Sequence, residues 1–240
     1  MLPIAILAGG LATRLRPITE TISKSLVEVA GRPFITWQLD YLRGQGIRCV
    51  VLCIGHLGEQ IEAVVGNGNA YGLEIVYSAD GARLLGTGGA LKKALPLLGS
   101  RFFVLYGDVY LPVSYAPIQR RFIECGKSAL MAVFQNRDAW DKSNAALRDG
   151  LVEYDKKAPR SGMAYIDYGL GVLSATAFDR YSSTEAFDLA DLYRALSSEN
   201  QLAGYEVAER FYEIGSPQGL RDTIEYFALR AKNPANLPGR

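Results

Sequence analysis

Short apolar runs alternate with amphipathic stretches through the first half of the chain. Residues 50–54, 73–77 and 102–106, like Ile4–Leu7 before them, are apolar at most positions, which predicts strands buried on both faces. Between these runs, apolar residues at helical spacing predict helices that begin at Pro33, at about residue 58 and at about residue 89. Strands that alternate with helices in this way indicate a mainly parallel sheet covered by helices.

The alternation becomes less regular after about residue 125. Residues 128–134, 151–154 and 166–173 still predict strands, and residues 187–196 and 217–231 predict helices. No change in composition marks a boundary, so we expect a single domain over residues 1–231. Residues 232–240 contain two prolines and few apolar side chains, which is typical of a loose terminal tail.

Composition and charge narrow the class of partner. The chain carries 26 lysines and arginines against 25 acidic residues, a net charge of +1, so it has no electrostatic footprint for nucleic acid or an anionic membrane. No run approaches the ~20 apolar residues of a membrane-spanning helix, and the start lacks the pattern of a secretory leader. The three cysteines lack metal-site spacing. We therefore expect a cytoplasmic protein without a nucleic-acid or membrane partner.

The first predicted strand ends in a glycine-rich turn that is suited to binding phosphate. Its two glycines let backbone N–H groups approach a phosphate or a base edge closely, and an arginine there offers a planar fork for phosphate oxygens. The turn lacks the Gly-Lys-Ser/Thr of a Walker loop and the third glycine of a dinucleotide fingerprint. The residues concerned are Leu7, Ala8, Gly9, Gly10, Thr13 and Arg14, with Lys24 as a second cation.

This segment resembles the signature of the sugar nucleotidylyltransferase (NDP-sugar pyrophosphorylase) family, Gly-Gly-x-x-Thr-Arg-Leu-x-Pro-x-Thr followed by Pro-Lys. The chain matches the signature from Gly9 to Thr19 and again at Lys24, with Ser23 where the family usually has proline. The resemblance implies that Arg14 and Lys24 hold the triphosphate of a nucleotide and offset the charge on departing pyrophosphate.

A second glycine-rich segment, residues 85–90, begins the third predicted helix. Glycines at a helix start leave N–H donors free, and the segment resembles the family element Leu-Gly-Thr-(Ala/Gly)-Gly-Ala, which implies that Gly86, Thr87 and Gly88 line the nucleoside site. Asp80 aligns with the residue that reads the base in relatives. Because a carboxylate only accepts hydrogen bonds, it suits the N–H groups of guanine, although uridylyl enzymes of the family also place an acid there.

Two acids far apart in the sequence are predicted to hold Mg²⁺. Asp108 follows the fourth predicted strand, at the end where ligands bind in open α/β sheets, and matches the family's Gly-Asp metal site. Residues 211–217 resemble the family's Trp-x-Asp-x-Gly-Thr-Pro, with Glu213 in place of the second metal-binding aspartate. Both side chains supply the hard oxygen ligands that Mg²⁺ prefers, so the resemblance implies a Mg²⁺ cofactor, with shifted geometry at Glu213.

The sugar 1-phosphate is expected to bind at two later segments. Residues 152–157 resemble the family strand that ends Glu-Lys-Pro, which implies that Asp155 contacts sugar hydroxyls and that Lys156 contacts the sugar's phosphate. Lys157 replaces the proline, so which lysine points inward stays open. Asp167 and Gly169 lie where relatives carry a sugar-binding strand, although a glycine packed within a sheet is a competing explanation.

The resemblance covers nearly the whole chain and implies a Rossmann-like three-layer α/β sandwich with a mixed, predominantly parallel central sheet, of the GT-A-like nucleotidyltransferase type. The implied reaction is an in-line attack of a sugar 1-phosphate on the α-phosphorus of a nucleoside triphosphate, with release of pyrophosphate. Guanylyl transfer to a heptose or hexose 1-phosphate is the favoured form. The alternatives are uridylyl transfer to an N-acetylhexosamine- or muramate-type 1-phosphate and, in another class, a non-catalytic nucleotide-sugar-binding regulatory subunit. The sequence is compatible with a homodimer but does not fix the oligomeric state.

Overall fold

The computed structural model describes residues 1–182 and 185–231, and the predicted tail at 232–240 lies outside the described residues. The α-helices in these ranges are α1 (Phe34–Gly44), α2 (Gly58–Val65), α3 (Gly86–Leu98), α4 (Tyr115–Cys125), α5 (Leu189–Ser198) and α6 (Pro217–Ala231). The strands are β1 (Ile4–Leu7), β2 (Glu28–Val29), β3 (Arg32–Pro33), β4 (Cys49–Ile54), β5 (Glu74–Ala79), β6 (Arg101–Tyr106), β7 (Val109–Tyr110), β8 (Ala129–Gln135), β9 (Ala145–Arg148), β10 (Leu151–Tyr154), β11 (Tyr165–Ser174), β12 (Leu202–Val207) and β13 (Tyr212–Glu213). Within the described part of the chain, no helix has the length and apolar character needed to cross a membrane.

Nine of the described strands form one mixed sheet in the order β5-β4-β1-β6-β11-β8-β12-β10-β9. β1 pairs in parallel with β4 and β6, and β4 pairs in parallel with β5, so the carboxyl ends of these four strands meet at one edge. β11 runs antiparallel to β6 and β8, and β10 runs antiparallel to β9 and β12. The predicted mixed α/β sheet is confirmed, and its parallel pairs are concentrated in the N-terminal half.

Helices cover both faces of the sheet because successive strand residues point to opposite sides. Ile4 and Ile6 of β1 belong to a core that α1 covers with Phe34 and other side chains. Ala5 belongs to a second core, on the opposite face, to which α3 and α5 contribute Leu91 and Leu192. This alternation follows from the two-residue period of a strand and produces the three layers that the sequence predicted.

Several described elements of the second half differ from the sequence-based predictions. Helix α4 was not predicted, because only Tyr115, Ile118 and Phe122 of its residues are buried and its apolar stripe is correspondingly narrow. Strands β9 and β12 were also not predicted; β12 contains Gly204, which weakens a strand pattern. Helix α5 starts at Leu189 rather than at residue 187, because the carboxylate of Asp188 caps it by accepting from the Ala190 N–H at 3.1 Å.

Candidate active site

A first cavity, of about 230 Å³, opens at the carboxyl edge of the parallel strands. Its walls come from the turns after β1 and β6, from the end of β4 and from the start of α3. This is where ligands bind in open α/β sheets, because the turns that follow parallel strands converge there. The predicted residues that line this cavity are Leu7, Ala8, Gly9, Gly10, Lys24, Asp80, Gly86, Thr87 and Asp108.

The glycine turn after β1 is set by packing as well as by access to a ligand. A Cβ at Gly9 would lie 3.0 Å from the backbone nitrogen of Gly55, and the Gly9 carbonyl accepts from the His56 N–H at 3.3 Å. Gly10 differs, since a Cβ there would have no heavy atom within 4 Å. The first glycine therefore holds two loops together, and the second leaves open space beside the cavity.

Ser23, where the family usually has proline, donates its backbone N–H to Oε1 of Gln60 at 2.9 Å. Proline has no N–H and could not make this bond. The amide of Gln60 also donates to the Thr21 carbonyl at 2.9 Å. Helix α2 thus fixes the loop that precedes Lys24 by hydrogen bonds, which replace the stiffness that proline would supply.

The glycine-rich start of α3 is attached to the segment before α5. The Gly88 N–H donates to the Phe187 carbonyl at 3.0 Å, and a Cβ at Gly88 would lie 2.2 Å from the Phe187 ring. The Thr87 hydroxyl donates to the Asp188 carboxylate at 2.7 Å and accepts from the Leu189 N–H at 2.8 Å. Gly88 is buried and does not line the cavity, so the structure gives it a packing role, and its predicted contact with nucleotide stays a prediction.

Asp80 lies at the cavity wall immediately after β5. One of its carboxylate oxygens, Oδ2, accepts from the Leu85 N–H at 3.0 Å. Burial raises the pKa of this carboxyl above its usual value, and the Leu85 N–H partly offsets that effect. The carboxylate also lines the first cavity, where it can accept hydrogen bonds from a ligand.

A second cavity, of about 290 Å³, adjoins the first and shares Tyr106 and Asp108 with it. It collects side chains from β10, β11 and β13 and from the turn after β1. The predicted residues that line it are Arg14, Asp108, Lys156, Asp167, Gly169 and Glu213. Residues separated by up to two hundred positions in the sequence thus converge on one place.

The pairing of β7 with β13 explains how Asp108 and Glu213 meet. Glu213 is in register with Val109, and the Ile214 N–H donates to the Asp108 carbonyl at 2.9 Å. A Cβ placed on Gly215 would lie 2.7 Å from Oε2 of Glu213, 3.0 Å from Oδ2 of Asp108 and 3.0 Å from Nζ of Lys24. Both carboxylates and the ammonium group therefore surround the Cα of one glycine.

Each of these carboxylates already has a partner in the protein. Lys24 donates to Oδ2 of Asp108 at 2.5 Å. The two oxygens of Glu213 accept from the Gly215 N–H and from the Ser216 hydroxyl. Glutamate is one methylene longer than aspartate, and these two donors hold the extra length folded back against the start of α6.

Asp167 lies on β11 and lines the second cavity. Its Oδ1 accepts from the Gly169 N–H at 2.9 Å, and its own N–H donates to Oδ1 of Asn144 at 3.0 Å. Burial raises the pKa of Asp167 to about 6, against the lowering effects of the Gly169 N–H and the charge of Lys156. Gly169 has φ +89, and a Cβ there would lie 2.9 Å from Val109, so its small size serves the sheet as well as the cavity.

Two predicted contacts are not brought to either cavity. Oδ1 of Asp155 accepts from the N–H groups of Lys157 at 3.0 Å and Ala158 at 2.9 Å, so this carboxylate closes a local turn. Thr13 is exposed and lines neither cavity. Lys157 pairs with Asp191 at 2.6 Å, while Lys156 lines the second cavity; the structure thus decides which lysine points inward.

Several residues that line the second cavity were not selected from the sequence. They are Tyr106, Trp140, Asp141, Asn144, Phe211 and Ser216. A cluster of polar residues between two strands is the usual signature of a loop, and that signal does not say which cavity the loop approaches. Only the pairing of β8, β9 and β11 places residues 136–144 beside Lys156.

The fold recurs in solved structures. A putative glucose-1-phosphate thymidylyltransferase from Bacillus anthracis superposes with a TM-score of 0.82 at 20% identity, over 94% of this chain and 95% of that one. HddC from Yersinia pseudotuberculosis, solved with GMP-PN, superposes with a TM-score of 0.76 at 25% identity, over 95% of this chain and 100% of that one. The architecture is therefore the Rossmann-like α/β fold of nucleotidyltransferases, as predicted.

Sequence comparison then defines the family. Residues 4–157 match the family described as Nucleotidyl transferase, and the chain belongs to that family. It is 31% identical to N-acetylmuramate alpha-1-phosphate uridylyltransferase of Neisseria meningitidis, over 90% of this chain and 94% of that protein. It is 25% identical to D-glycero-alpha-D-manno-heptose 1-phosphate guanylyltransferase of Campylobacter jejuni, over 89% of this chain and 94% of that protein. The prediction of a nucleotidyltransferase enzyme is confirmed.

Proposed function

We propose that this enzyme joins a nucleoside triphosphate to a sugar 1-phosphate and releases pyrophosphate. The observation that carries the proposal is that Arg14, Asp108 and Lys156 line the second cavity, which adjoins the glycine-lined first cavity at the carboxyl end of β1. Two adjoining cavities that both contain cations, Lys24 in the first and Arg14 and Lys156 in the second, suit two phosphorylated substrates. The relatives named above carry this reaction type in their names, with uridylyl or guanylyl as the transferred group.

The protein's part in the reaction is to position two substrates and neutralise charge. The phosphate oxygen of the sugar attacks the α-phosphorus in line, and the bond from that phosphorus to the bridging oxygen of pyrophosphate breaks, so no covalent enzyme intermediate is needed. Lys156 orients the attacking phosphate, while Arg14 and Lys24 bind the triphosphate and offset the charge that develops on pyrophosphate. Positioning and preorganised charge supply most of the acceleration in such transfers.

Asp108 and Glu213 fit a Mg²⁺ ion. They present hard carboxylate oxygens around the Cα of Gly215, and Mg²⁺ is commonly held by one or two carboxylates together with substrate phosphates. No group of three or more histidine, cysteine or acidic residues in the described ranges forms a self-sufficient metal cage, which agrees with a metal that arrives with its nucleotide. Held by Asp108 and Glu213, the ion would neutralise charge on the phosphates. Lys24, which is paired with Asp108 in this structure, would supply a second positive charge beside them.

Guanine is the proposed base. The remaining oxygen of Asp80 is an acceptor without a proton to give, and guanine presents N–H groups on its Watson–Crick edge. Uridylyl transfer is the second candidate, because the muramate-specific uridylyltransferase of Neisseria meningitidis is 31% identical over nearly the whole chain. Uracil offers a single N–H to Asp80, and this smaller number of donors supports guanine as the proposed base.

A neutral heptose or hexose 1-phosphate is the proposed acceptor. Beyond the cations assigned to phosphate, the second cavity offers the acids Asp141 and Asp167, which accept from sugar hydroxyls and repel a sugar carboxylate.

A non-catalytic regulatory subunit would not need all three of the cations Arg14, Lys24 and Lys156. A cytoplasmic location and a homodimer stay predictions.

The test is a matrix of the four nucleoside triphosphates against heptose, mannose, glucose and N-acetylhexosamine 1-phosphates with Mg²⁺. We expect pyrophosphate release and a GDP-sugar mass for a heptose or hexose acceptor. A UDP-sugar from an N-acetylhexosamine 1-phosphate would establish the second candidate instead. Nucleotide binding without turnover in any well would refute the catalytic proposal and support the regulatory subunit.

A further inference from the structure

An exposed indole stands at the wall of the second cavity and has no part in the reaction described so far. Trp140 is 48% exposed, yet it lines the cavity together with Lys156 and Asp167. It does not line the first cavity, which is proposed for the nucleotide. A large apolar side chain that is open to water at the wall of a polar cavity indicates a contact with a ligand or a partner.

The loop that carries Trp140, residues 136–143, is fixed by its own hydrogen bonds. Asn136 and Ser143, only 2% and 3% exposed, lie at its base. Asn136 donates to the Asp141 carbonyl at 2.6 Å and accepts from the Trp140 N–H at 3.2 Å. Ser143 Oγ accepts from the Asp138 N–H at 3.0 Å. The loop therefore presents its tryptophan from a defined backbone rather than from a chain that is free to move.

The indole is also held from one side by a cation. The guanidinium of Arg210 lies 3.6 Å from the centroid of the Trp140 ring and 4.7 Å from that of Tyr212. The same guanidinium donates to Asp222 at 3.0 Å and to the Phe211 carbonyl at 3.2 Å. Arg210 is thus committed to protein partners, and its stacking sets the plane of the indole.

We propose that Trp140 determines acceptor specificity by stacking against the apolar C–H face of the sugar of the incoming sugar 1-phosphate. This inference rests on the proposed function, because it takes the second cavity as the acceptor's site. A sugar ring has an apolar face and a hydroxylated rim, and ligand sites pair aromatic walls with a few placed polar groups. Trp140 supplies the wall, Asp167 an acceptor for the rim and Lys156 a cation for the phosphate.

Fluorescence tests binding without requiring turnover. The chain has two tryptophans, so a Trp37→Phe variant leaves Trp140 as its single indole; Trp37 stacks on Phe227, and phenylalanine keeps that contact. Mannose, glucose, heptose and N-acetylhexosamine 1-phosphates are titrated into this variant, with inorganic phosphate as the control. We expect a saturable change in Trp140 emission with at least one sugar 1-phosphate and none with phosphate alone.

Kinetics test specificity. Relative to the unaltered enzyme, Trp140→Ala should raise the KM for the sugar 1-phosphate about tenfold or more, with the KM for the nucleotide within about twofold, because the proposed aromatic contact is made with the sugar alone. Trp140→Phe should retain part of the affinity. Ile123→Ala removes an apolar side chain that is 52% exposed and lines neither cavity, and should change neither KM. Melting temperatures confirm that each variant is folded.

The outcomes separate this inference from the proposed function. Turnover by the unaltered enzyme, combined with an unchanged sugar KM in Trp140→Ala and silent fluorescence, would overturn the role of Trp140 and leave the nucleotidyl transfer intact. A fluorescence response without turnover would support the sugar contact and refute the transfer. No change in Trp140 emission together with no turnover would refute both the role of Trp140 and the proposed function.

Discussion

Arg14 is an exposed cation on a short 3₁₀ turn after the glycine loop, and it faces the cavity that also contains Asp108 and Lys156. A side chain in this position contributes little to packing, so its role in the proposed reaction is separable from its role in the fold. The same separation does not hold for Lys24, which is ion-paired with Asp108 and only 16% exposed.

Arg14→Ala is therefore the sharpest test of the charge-neutralising role. We expect kcat for pyrophosphate release to fall by ~10²–10³, the typical effect of removing one preorganised charge donor, with the melting temperature unchanged. The matched control is Arg120→Ala, which removes an exposed arginine of helix α4 outside both cavities. Near-normal turnover in Arg14→Ala would remove the role assigned to this residue.

Asp167 predicts an acidic limit on activity. Because burial raises its pKa to about 6, the carboxylate that we propose as an acceptor for sugar hydroxyls becomes protonated as the pH falls through about 6. We expect kcat/KM for the sugar 1-phosphate to fall over that range. In Asp167→Asn the value should be low at every pH and this acidic limb should disappear; an unchanged limb would assign it to another group.

The raised pKa of Asp167 also makes the stability of the fold depend on pH. A carboxyl whose pKa is higher in the folded state than in the unfolded state binds more protons when folded, so the free energy of unfolding decreases as the pH rises from about 4 to about 6. Asp167→Asn should therefore be more stable than the unaltered chain at pH 7, by roughly 1–3 kcal/mol. Urea unfolding at pH 5 and pH 7 measures the difference, which should be smaller at pH 5.

At the scale of elements, the start of α3 shows how one glycine-rich segment serves two purposes. Gly86 and Thr87 line the first cavity, whereas Gly88 packs on Phe187 and donates to its carbonyl. Phe187 in turn stacks on Tyr181, with ring centroids 3.9 Å apart. The contact between Gly88 and Phe187 therefore joins the start of α3 to the segment that leads into α5.

Gly88→Ala should destabilise this junction. Its Cβ would lie 2.2 Å from the Phe187 ring, and overpacking of a buried contact typically costs ~1–3 kcal/mol. In a Phe187→Leu background the cost of Gly88→Ala should decrease, because the smaller side chain leaves room for the methyl group. A double-mutant cycle by urea unfolding measures this coupling; additive effects would contradict the packing role.

At the scale of the whole molecule, the two cavities belong to different halves of the sheet. The first cavity, proposed for the nucleotide, is built on the parallel strands β1, β4 and β6. The second cavity, proposed for the acceptor, is built on β10 and β11 of the antiparallel half, with β13 beside them. Asp108 lies where the halves meet and lines both cavities. A nucleotide at the proposed site would contact residues contributed by distant parts of the chain.

Nucleotide binding should therefore stabilise the entire fold, and the base should matter. At a free concentration of one hundred times Kd, a ligand of the folded state adds ~2.7 kcal/mol, and each kcal/mol raises Tm by roughly 2–4 °C in a domain of this size. We expect Mg²⁺ with GTP to raise Tm by several degrees more than Mg²⁺ with UTP at equal concentration. Asp80→Ala should reduce that difference, and a larger shift with UTP would favour the uridylyl candidate.

The sequence predicted the parallel half of the fold well. Strand β1 begins and ends where it was predicted, and helix α2 begins where it was predicted, because continuous apolar runs and a helical apolar stripe are strong local signals. Helix α4 and strand β12 were not predicted, since the first buries few residues and the second depends on its parallel pairing with β8. Gly88 shows the same limit at a single residue, because nothing local tells a packing glycine from a phosphate-binding one.

The amino-acid sequence by itself determined the alternation of strands and helices, the family signature and the identity of the charged residues, because these depend on local periodicity and residue chemistry. The tertiary structure decided which of those residues meet. Antiparallel pairing of β7 with β13 brings Glu213 to Asp108, a local turn withdraws Asp155, and the loop at 136–143 carries Trp140 to the second cavity. Such meetings depend on contacts between segments distant in the chain, and those contacts form only when the whole sheet is assembled.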